Sequence, residues 1–281
     1  MKLSFTKMHG CGNHYIYFNC FDQAVPDPEA LSIRLSEPHF GIGGDGIILI
    51  SPSDRADAQM RIFNADGSEG RMCGNGIRCV GKYLYDNGMV NGRTAVTVDT
   101  LSGVKRLELD VRDGRVQSVR VDMGAAILLP RDIPADFEGD SVVGAPLVVD
   151  ERVYHVTCVS MGNPHCVIFL SEDIDSLDLA RIGPKFEHHP LFPARINTEF
   201  VNIQSDGSLK MRVWERGSGE TWACGTGACA VGVAACLTGR AEKGSDITVR
   251  LRGGDLNIQY TDETVFMTGA ATTIFEGEIE I

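Results

Sequence analysis

Two short segments of this 281-residue chain place a cysteine and closely spaced glycines at the start of a helical pattern. They are Cys73-Gly74-Asn75-Gly76-Ile77-Arg78 and Cys224-Gly225-Thr226-Gly227-Ala228-Cys229. Glycines at such a point let the backbone approach a ligand closely, and the open N–H groups of a helix N-terminus attract anions. A thiol placed there feels the same field, which favours thiolate and lowers its pKa. One copy alone reads best as a buried structural cysteine beside a turn, whereas two symmetric copies favour chemistry. Two thiols suit a reaction that a single base performs badly. Inverting a carbon next to a carboxylate requires removing a proton from one face and delivering another to the opposite face. A lone base returns the proton to the face it left unless it, or the substrate, reorients. With two opposed groups, one starts as thiolate and takes the proton while the other starts as thiol and gives one. A thiol's ordinary pKa, about 8.5, keeps both forms accessible near neutral pH.

The elements that must hold these cysteines show an internal echo. Phe63 to Gly76 aligns without gaps on Trp214 to Gly227, an offset of 151 residues. Upstream, Gly12-Asn13-His14 aligns on Gly162-Asn163-Pro164 at an offset of 150. A period this long implies two copies of one domain, with equivalent loops available to face each other. The boundaries read as 1–122 for the first half, completed by a C-terminal strand over 270–281, and 123–269 for the second. Alternating apolar runs at Val104 to Val111 and Val116 to Val121 flank Asp113-Gly114, a strong hairpin signal. Phe200 to Ile203 and Leu209 to Trp214 repeat it around Asp206-Gly207, and Ile247 to Ile281 reads as four more strands. Pro28 to Ser36 is predicted as a helix with Asp27 as its N-cap, and Leu177 to Ile182 as another. Ala228 to Leu237 is small or apolar all round, as befits a buried helix. The expected class is α+β: two pseudo-symmetric domains, each an antiparallel β-sheet or barrel wrapped around a central helix.

Composition narrows the function classes. Hydrophobic residues at 43% and charged residues at 23% describe a packed globular protein. A formal net charge of −12 argues against a nucleic-acid partner. The longest unbroken aliphatic run, Ile47 to Ile50, is far short of a membrane span, and Met1 to Lys7 lacks an apolar secretory stretch. A cytoplasmic protein is expected. Nine cysteines without a C-x-x-C pair imply neither a disulfide framework nor a structural zinc site. Cys11, Cys20, Cys158, Cys166, Cys229 and Cys236 read as packing residues, and Cys79 as facing away from Cys73 on the helix.

Five motifs carry a family resemblance. They are M-H-G-C-G-N-H at Met8 to His14, R-I-F-N-A-D-G-S-E at Arg61 to Glu69, C-G-N-G-I-R at Cys73 to Arg78, S-M-G-N-P-H at Ser160 to His165, and E-R-G-S-G-E-T-W-A-C-G-T-G at Glu215 to Gly227. In this order, over nearly the whole chain, they resemble the diaminopimelate epimerases. The resemblance implies interconversion of LL- and meso-diaminopimelate on the route to lysine and peptidoglycan, with an active site in the cleft between the halves. It implies no pyridoxal phosphate, no metal and a homodimer. By position, Cys73 and Cys224 match the acid/base pair, with His165 and Glu215 matching residues that adjust their pKa values. Gly74, Asn75, Gly225 and Thr226 match the backbone donors to the reacting carboxylate. Asn64, Asn163, Asn197, Glu215 and Arg216 match the residues that hold the distal amino-acid end, and Asn13 a contact near the reacting amine. A zwitterionic distal end suits a carboxylate and a guanidinium.

The chain departs from the family's G-x-G-x-D-Q segment, running Gly41-Ile42-Gly43-Gly44-Asp45-Gly46. Gly46 supplies no amide, so water or His14 takes the amine contact, or substrate preference shifts. Two other readings stand beside the epimerase. One is a racemase of another amino acid on the same fold; the other is a redox or metal-binding dithiol protein.

Overall fold

Short turns, several of them built on glycine, join the antiparallel strands of this protein, and helices carry the chain between parallel ones. The computed structural model describes all of residues 1–281, which divide into one unit of Met1–Asp122 with Thr268–Ile281 and a second of Met123–Met267.

In the first unit, β1 (Lys2–Gly10) turns into β2 (Asn13–Asn19) through Cys11 and Gly12, at φ 53° and 78°. Positive φ at both central residues gives the turn whose twist matches the strands. Helix α1 (Pro28–Ser36) crosses to β3 (Gly46–Ser51), which runs parallel to β2. Its bounds are those read from sequence, and Asp27 caps it by accepting from the Ala30 N–H at 3.2 Å. Strand β4 (Ala58–Asn64) returns antiparallel to β3, and β5 (Glu69–Gly70) folds back on it. Helix α2 (Gly74–Asp86) then crosses to β6 (Ala95–Thr100), parallel to β4. Strands β7 (Gly103–Arg112) and β8 (Arg115–Asp122) form the expected hairpin around Asp113-Gly114.

The second unit repeats this plan. After β9 (Ala145–Val149), β10 (Arg152–Ser160) turns at Gly162 into β11 (Pro164–Phe169). Helix α3 (Leu179–Glu187) crosses to β12 (Asn197–Ile203), parallel to β11. Strand β13 (Leu209–Glu215) is antiparallel to β12, β14 (Gly219–Thr221) folds on β13, and α4 (Gly225–Leu237) crosses to β15 (Asp246–Leu251), parallel to β13. Strands β16 (Gly254–Tyr260) and β17 (Val265–Ala270) follow, and β18 (Thr272–Glu280) pairs antiparallel with β1.

The strand pairing in each unit is therefore mixed, not purely antiparallel as the hairpin signals implied. Hairpins report only local pairings, and each unit also holds two parallel pairs that need a helical crossover. Helix α3 lies further along the chain than the sequence pattern placed it, because Ile174–Ser176 forms a separate 3-10 turn that Leu177 ends.

The helices that carry the two thiols are the buried ones. Helix α2 packs on β1, β2, β6, β7 and β8; α4 packs on β10, β11, β12, β15 and β16. Small residues make this possible. A Cβ at Gly232 of α4 would stand 2.6 Å from the Ile258 side chain, and one at Gly81 of α2 would stand 2.7 Å from Leu107. Overfilling such a contact costs about 1–3 kcal/mol.

Strand registers define the equivalent positions. Ile16 lies opposite Ile47 and Ile47 opposite Phe63; correspondingly, Cys166 lies opposite Thr198 and Thr198 opposite Trp214. Tyr15 thus corresponds to His165, Gly46 to Asn197, Ile48 to Glu199, and Asn64 to Glu215.

Candidate active site

Cys73 is the N-cap of α2, in extended conformation, and its sulfur accepts from the Gly76 N–H at 3.3 Å. The same sulfur lies 3.3 Å from Asn13 Oδ1, to which the thiol donates. Asn13 opens β2, and its Nδ2 donates to Asp45 Oδ2 at 2.7 Å, the oxygen that also takes the His14 N–H at 2.7 Å. Because Asp45 accepts from the amide nitrogen, the amide oxygen is the end left for sulfur. Behind the loop, fully buried Arg78 donates to Asn75 Oδ1 at 3.0 Å, to Gly74 O at 3.2 Å and to Ala270 O at 3.3 Å. The first turn of α2 is thus tied to the guanidinium of its own second turn. Burial pushes the Tyr15 phenol well above its ordinary pKa, with Cys73 and Asp45 adding to the shift. Asn64 ends β4, where its Nδ2 donates to Ser68 Oγ at 3.0 Å.

Gly46 has φ of 150°, and a Cβ there would collide with the Phe63 carbonyl oxygen. The departure from glutamine at this position is therefore built into the backbone of this chain.

Cys224 repeats the capping geometry on α4, its sulfur accepting from the Gly227 N–H at 3.4 Å and lying 3.5 Å from Thr226 Oγ1. Its surroundings differ. His165 and Glu199 have no exposed side-chain surface, and Nδ1 of the imidazole lies 2.7 Å from Glu199 Oε1. The other ring nitrogen, Nε2, lies 3.1 Å from Asn163 Oδ1. Glu215, at the end of β13, accepts from the Thr221 hydroxyl. Burial raises the Glu215 carboxyl, against the pull of Thr221, His165 and Cys224. Burial also pushes the Cys224 thiol well above its ordinary range, and the charges of Glu215 and Glu199 add to it. Hydrogen bonds from Thr226 and the Gly227 N–H pull it down without reversing the direction. The expectation of a lowered pKa at this helix start is thus overturned for Cys224, because desolvation and two carboxylates outweigh the N-terminal field.

The amide of Asn197 is committed to the backbone at both ends, with Nδ2 donating to Pro164 O at 2.7 Å and Oδ1 accepting from Arg216 N–H at 2.8 Å. Exposed Arg216 donates from Nη1 to Ala194 O at 3.0 Å. Hence Asn13, Cys73, Gly74 and Asn75 gather in the first unit; Asn163, His165, Glu215, Cys224, Gly225 and Thr226 gather in the second. Asn64 is bonded to Ser68, and the Arg216 guanidinium to the Ala194 carbonyl.

Reading the sequence missed Glu199, Asp45 and Arg78. His165, Glu199 and Cys224 each bring a ligand-type atom within 4.8 Å of the others. Both imidazole nitrogens are engaged, Nδ1 by Glu199 and Nε2 by Asn163.

A family profile described as diaminopimelate epimerase matches residues 5–129 and 157–274. A diaminopimelate epimerase of Acetivibrio thermocellus is 53% identical over 281 residues, covering 99% of each chain. One from Agathobacter rectalis is 54% identical over 99% of this chain and 100% of its own, and one from Methanococcus maripaludis is 50% identical over 99% and 100%. Among solved structures, a probable proline racemase from Agrobacterium radiobacter superposes with a TM-score of 0.72 at 18% identity, covering 99% of this chain and 93% of its own. A phenazine biosynthesis protein from Bacillus anthracis gives 0.71 at 14% identity with both chains fully covered. These two likenesses show the pseudo-symmetric two-domain fold. The chain belongs to the diaminopimelate epimerase family.

Proposed function

We propose that this protein interconverts LL- and meso-diaminopimelate without a cofactor, by proton transfer between two thiols, one supplied by each unit. The observation that carries this reading is the repeated device of a cysteine whose sulfur caps a buried helix, in a chain about half identical to diaminopimelate epimerases along its full length. Inversion needs one proton-transfer group on each face of the carbon, and Cys73 and Cys224 are those groups. The raised pKa of Cys224 suits the partner that starts as thiol and donates.

The remaining roles follow the chemistry of the substrate. The N–H groups at Gly74-Asn75 and Gly225-Thr226, at the starts of α2 and α4, hold the carboxylate at the reacting centre, where negative charge develops. Asn13 meets the reacting amine, while Asn64, Asn163, Asn197, Glu215 and Arg216 hold the distal zwitterion. His165 and Glu215 set the proton affinity of the thiols. Gly46 offers only backbone, so the amine's further partner there is water or the neighbouring His14. The family resemblance further supports a cytoplasmic homodimer, and no helix is long and apolar enough to cross a membrane. Light scattering that gave a monomer mass would remove the dimer.

The test is conversion of purified LL-diaminopimelate, followed by chiral chromatography under reducing conditions. Appearance of the meso isomer, lost in both Cys73→Ala and Cys224→Ala, is the expected result. Failure of a folded, reduced sample to convert it would overturn the assignment.

A further inference from the structure

The two thiols sit in equivalent backbone frames but in unequal chemical ones. Around Cys73 the positions next to the sulfur-bearing turn are Tyr15, Ile48 and Asn64, none of them charged at neutral pH. Their counterparts around Cys224 are His165, Glu199 and Glu215. The match between Ile48 and Glu199 is spatial as well as topological. A Cβ on Gly76 would meet Ile48 Cδ1 at 2.7 Å, and a Cβ on Gly227 would meet Glu199 Oε1 at 2.6 Å. Evidently one half fills this place with a methyl group and the other with a carboxylate.

A carboxylate in such a place needs a reason. Glu199 is fully buried, and its second oxygen, Oε2, makes no hydrogen bond. An ionised acid is held in a core only beside a countercharge. The partner present is His165 Nδ1, at 2.7 Å. An ionised carboxylate can only accept, so Nδ1 carries a proton. Nε2 faces another acceptor, Asn163 Oδ1 at 3.1 Å, so it carries a proton too. Both ring nitrogens thus face acceptors, the geometry that a doubly protonated ring satisfies. Facing it are Glu199 on β12, Glu215 on β13 and Cys224 at the start of α4.

We infer that Glu199 is a positioning residue for proton transfer at Cys224: it holds His165 in its charged, doubly protonated form, a device the Cys73 half lacks. The inference rests on the epimerase reading for its kinetic consequences, whereas the state of the imidazole can be tested without it. With Glu199 in place, the Cys224 proton moves beside a fixed positive charge. With glutamine in its place, the side chain no longer demands a cation, and His165 gives up one ring proton.

The experiment uses the full chain labelled with ¹⁵N in its histidines, the His165 signals being assigned by their loss in His165→Gln. At pH 7.5 wild-type His165 is expected to show two protonated ring nitrogens, and Glu199→Gln one protonated and one bare. In parallel, Glu199→Gln is expected to lower kcat for diaminopimelate epimerisation by about ten- to a hundredfold with KM within about threefold. One limb of its pH–rate profile should also move, and Glu199→Asp should restore part of each effect. A bare ring nitrogen in the wild type at pH 7.5 would overturn the inference whether or not any variant folds. So would a Glu199→Gln protein whose His165 signals and pH profile match wild type. Absence of epimerisation by the wild type would refute the functional reading instead, leaving the imidazole measurement to judge this one.

Discussion

Paired alanine substitutions at Gly76 and Gly227 should separate the two halves of the site. Both glycines are the third residue of their helix, and both donate their N–H to the capping sulfur, which alanine preserves. Removing glycine from a helix gains about 1 kcal/mol in either case. The new methyl at position 76 meets Ile48 Cδ1 at 2.7 Å and Met60 Cε at 3.1 Å, the ends of flexible side chains. Their displacement falls at the low end of overpacking costs, about 1 kcal/mol, so Gly76→Ala should lie within about 1 kcal/mol of the parent. At position 227 the methyl meets Glu199 Oε1 at 2.6 Å and Cys224 Sγ at 3.2 Å. Moving that oxygen disrupts its hydrogen bond to His165, and bonds to charged groups contribute about 1.5–3 kcal/mol. Gly227→Ala should therefore be at least about 2 kcal/mol less stable than Gly76→Ala. Urea unfolding followed by far-UV circular dichroism compares the two. Both tryptophans, Trp214 and Trp222, lie in the second unit, so their fluorescence reports on the unit that Gly227→Ala strains. Equal midpoints, or a weaker Gly76→Ala, would refute the argument that the carboxylate and the methyl make these positions different.

Further outcomes follow from the same geometry. Cys73→Ala and Cys224→Ala should each lower kcat by about a thousandfold or more while circular dichroism stays at wild type; a variant retaining a tenth of the activity would contradict the two-thiol scheme. Asp45→Ala releases the Asn13 amide and the His14 N–H, each bonded to it at 2.7 Å, and should lower kcat/KM about tenfold with a stability loss of about 1–3 kcal/mol. Unchanged kinetics in a properly folded Asp45→Ala would show that Asn13 is placed by other means. Burial pushes the Cys79 thiol up to about 11, above the ordinary value it has in the unfolded chain. Below the unfolded value both states are protonated and its contribution is intact. Between that value and about pH 11 the unfolded chain alone loses the proton, so stability should fall by up to about 1.4 kcal/mol per pH unit. Cys79→Ala should flatten that slope in alkaline urea titrations, and an unaltered slope would count against the burial argument.

The repeat and the caps were legible in the sequence because they depend on local chemistry. Asp27 before Pro28 and Cys-Gly-x-Gly before two apolar runs fix helix starts whatever surrounds them. Parallel pairing was not legible, since β2 with β3 and β11 with β12 come together only through helices packed elsewhere. Glu199 was missed because a single charge in a strand normally reads as a residue on the wet face. The signal was nonetheless present. Continuing the 151-residue offset past the glycine motifs sets Thr198-Glu199-Phe200 against Ile47-Ile48-Leu49, a charge aligned with an aliphatic core position. Acids are almost never fully buried unless paired, so that mismatch points to a partner such as His165. For Asn197 the motif marked a site residue but not its backbone bonds: its amide joins Pro164 O to the Arg216 N–H, which fixes the chain that follows Glu215.

Early-time isotope distribution tests the two-thiol claim most directly. LL-diaminopimelate is incubated with reduced enzyme in D₂O, stopped below about a tenth of conversion, and both isomers are separated for mass analysis. If one thiol removes the proton and the other delivers a solvent-derived one, the meso product carries one deuterium and the recovered LL isomer carries none. Deuterium in both isomers at this stage, or original protium carried into the product, would mean that a single base serves both faces.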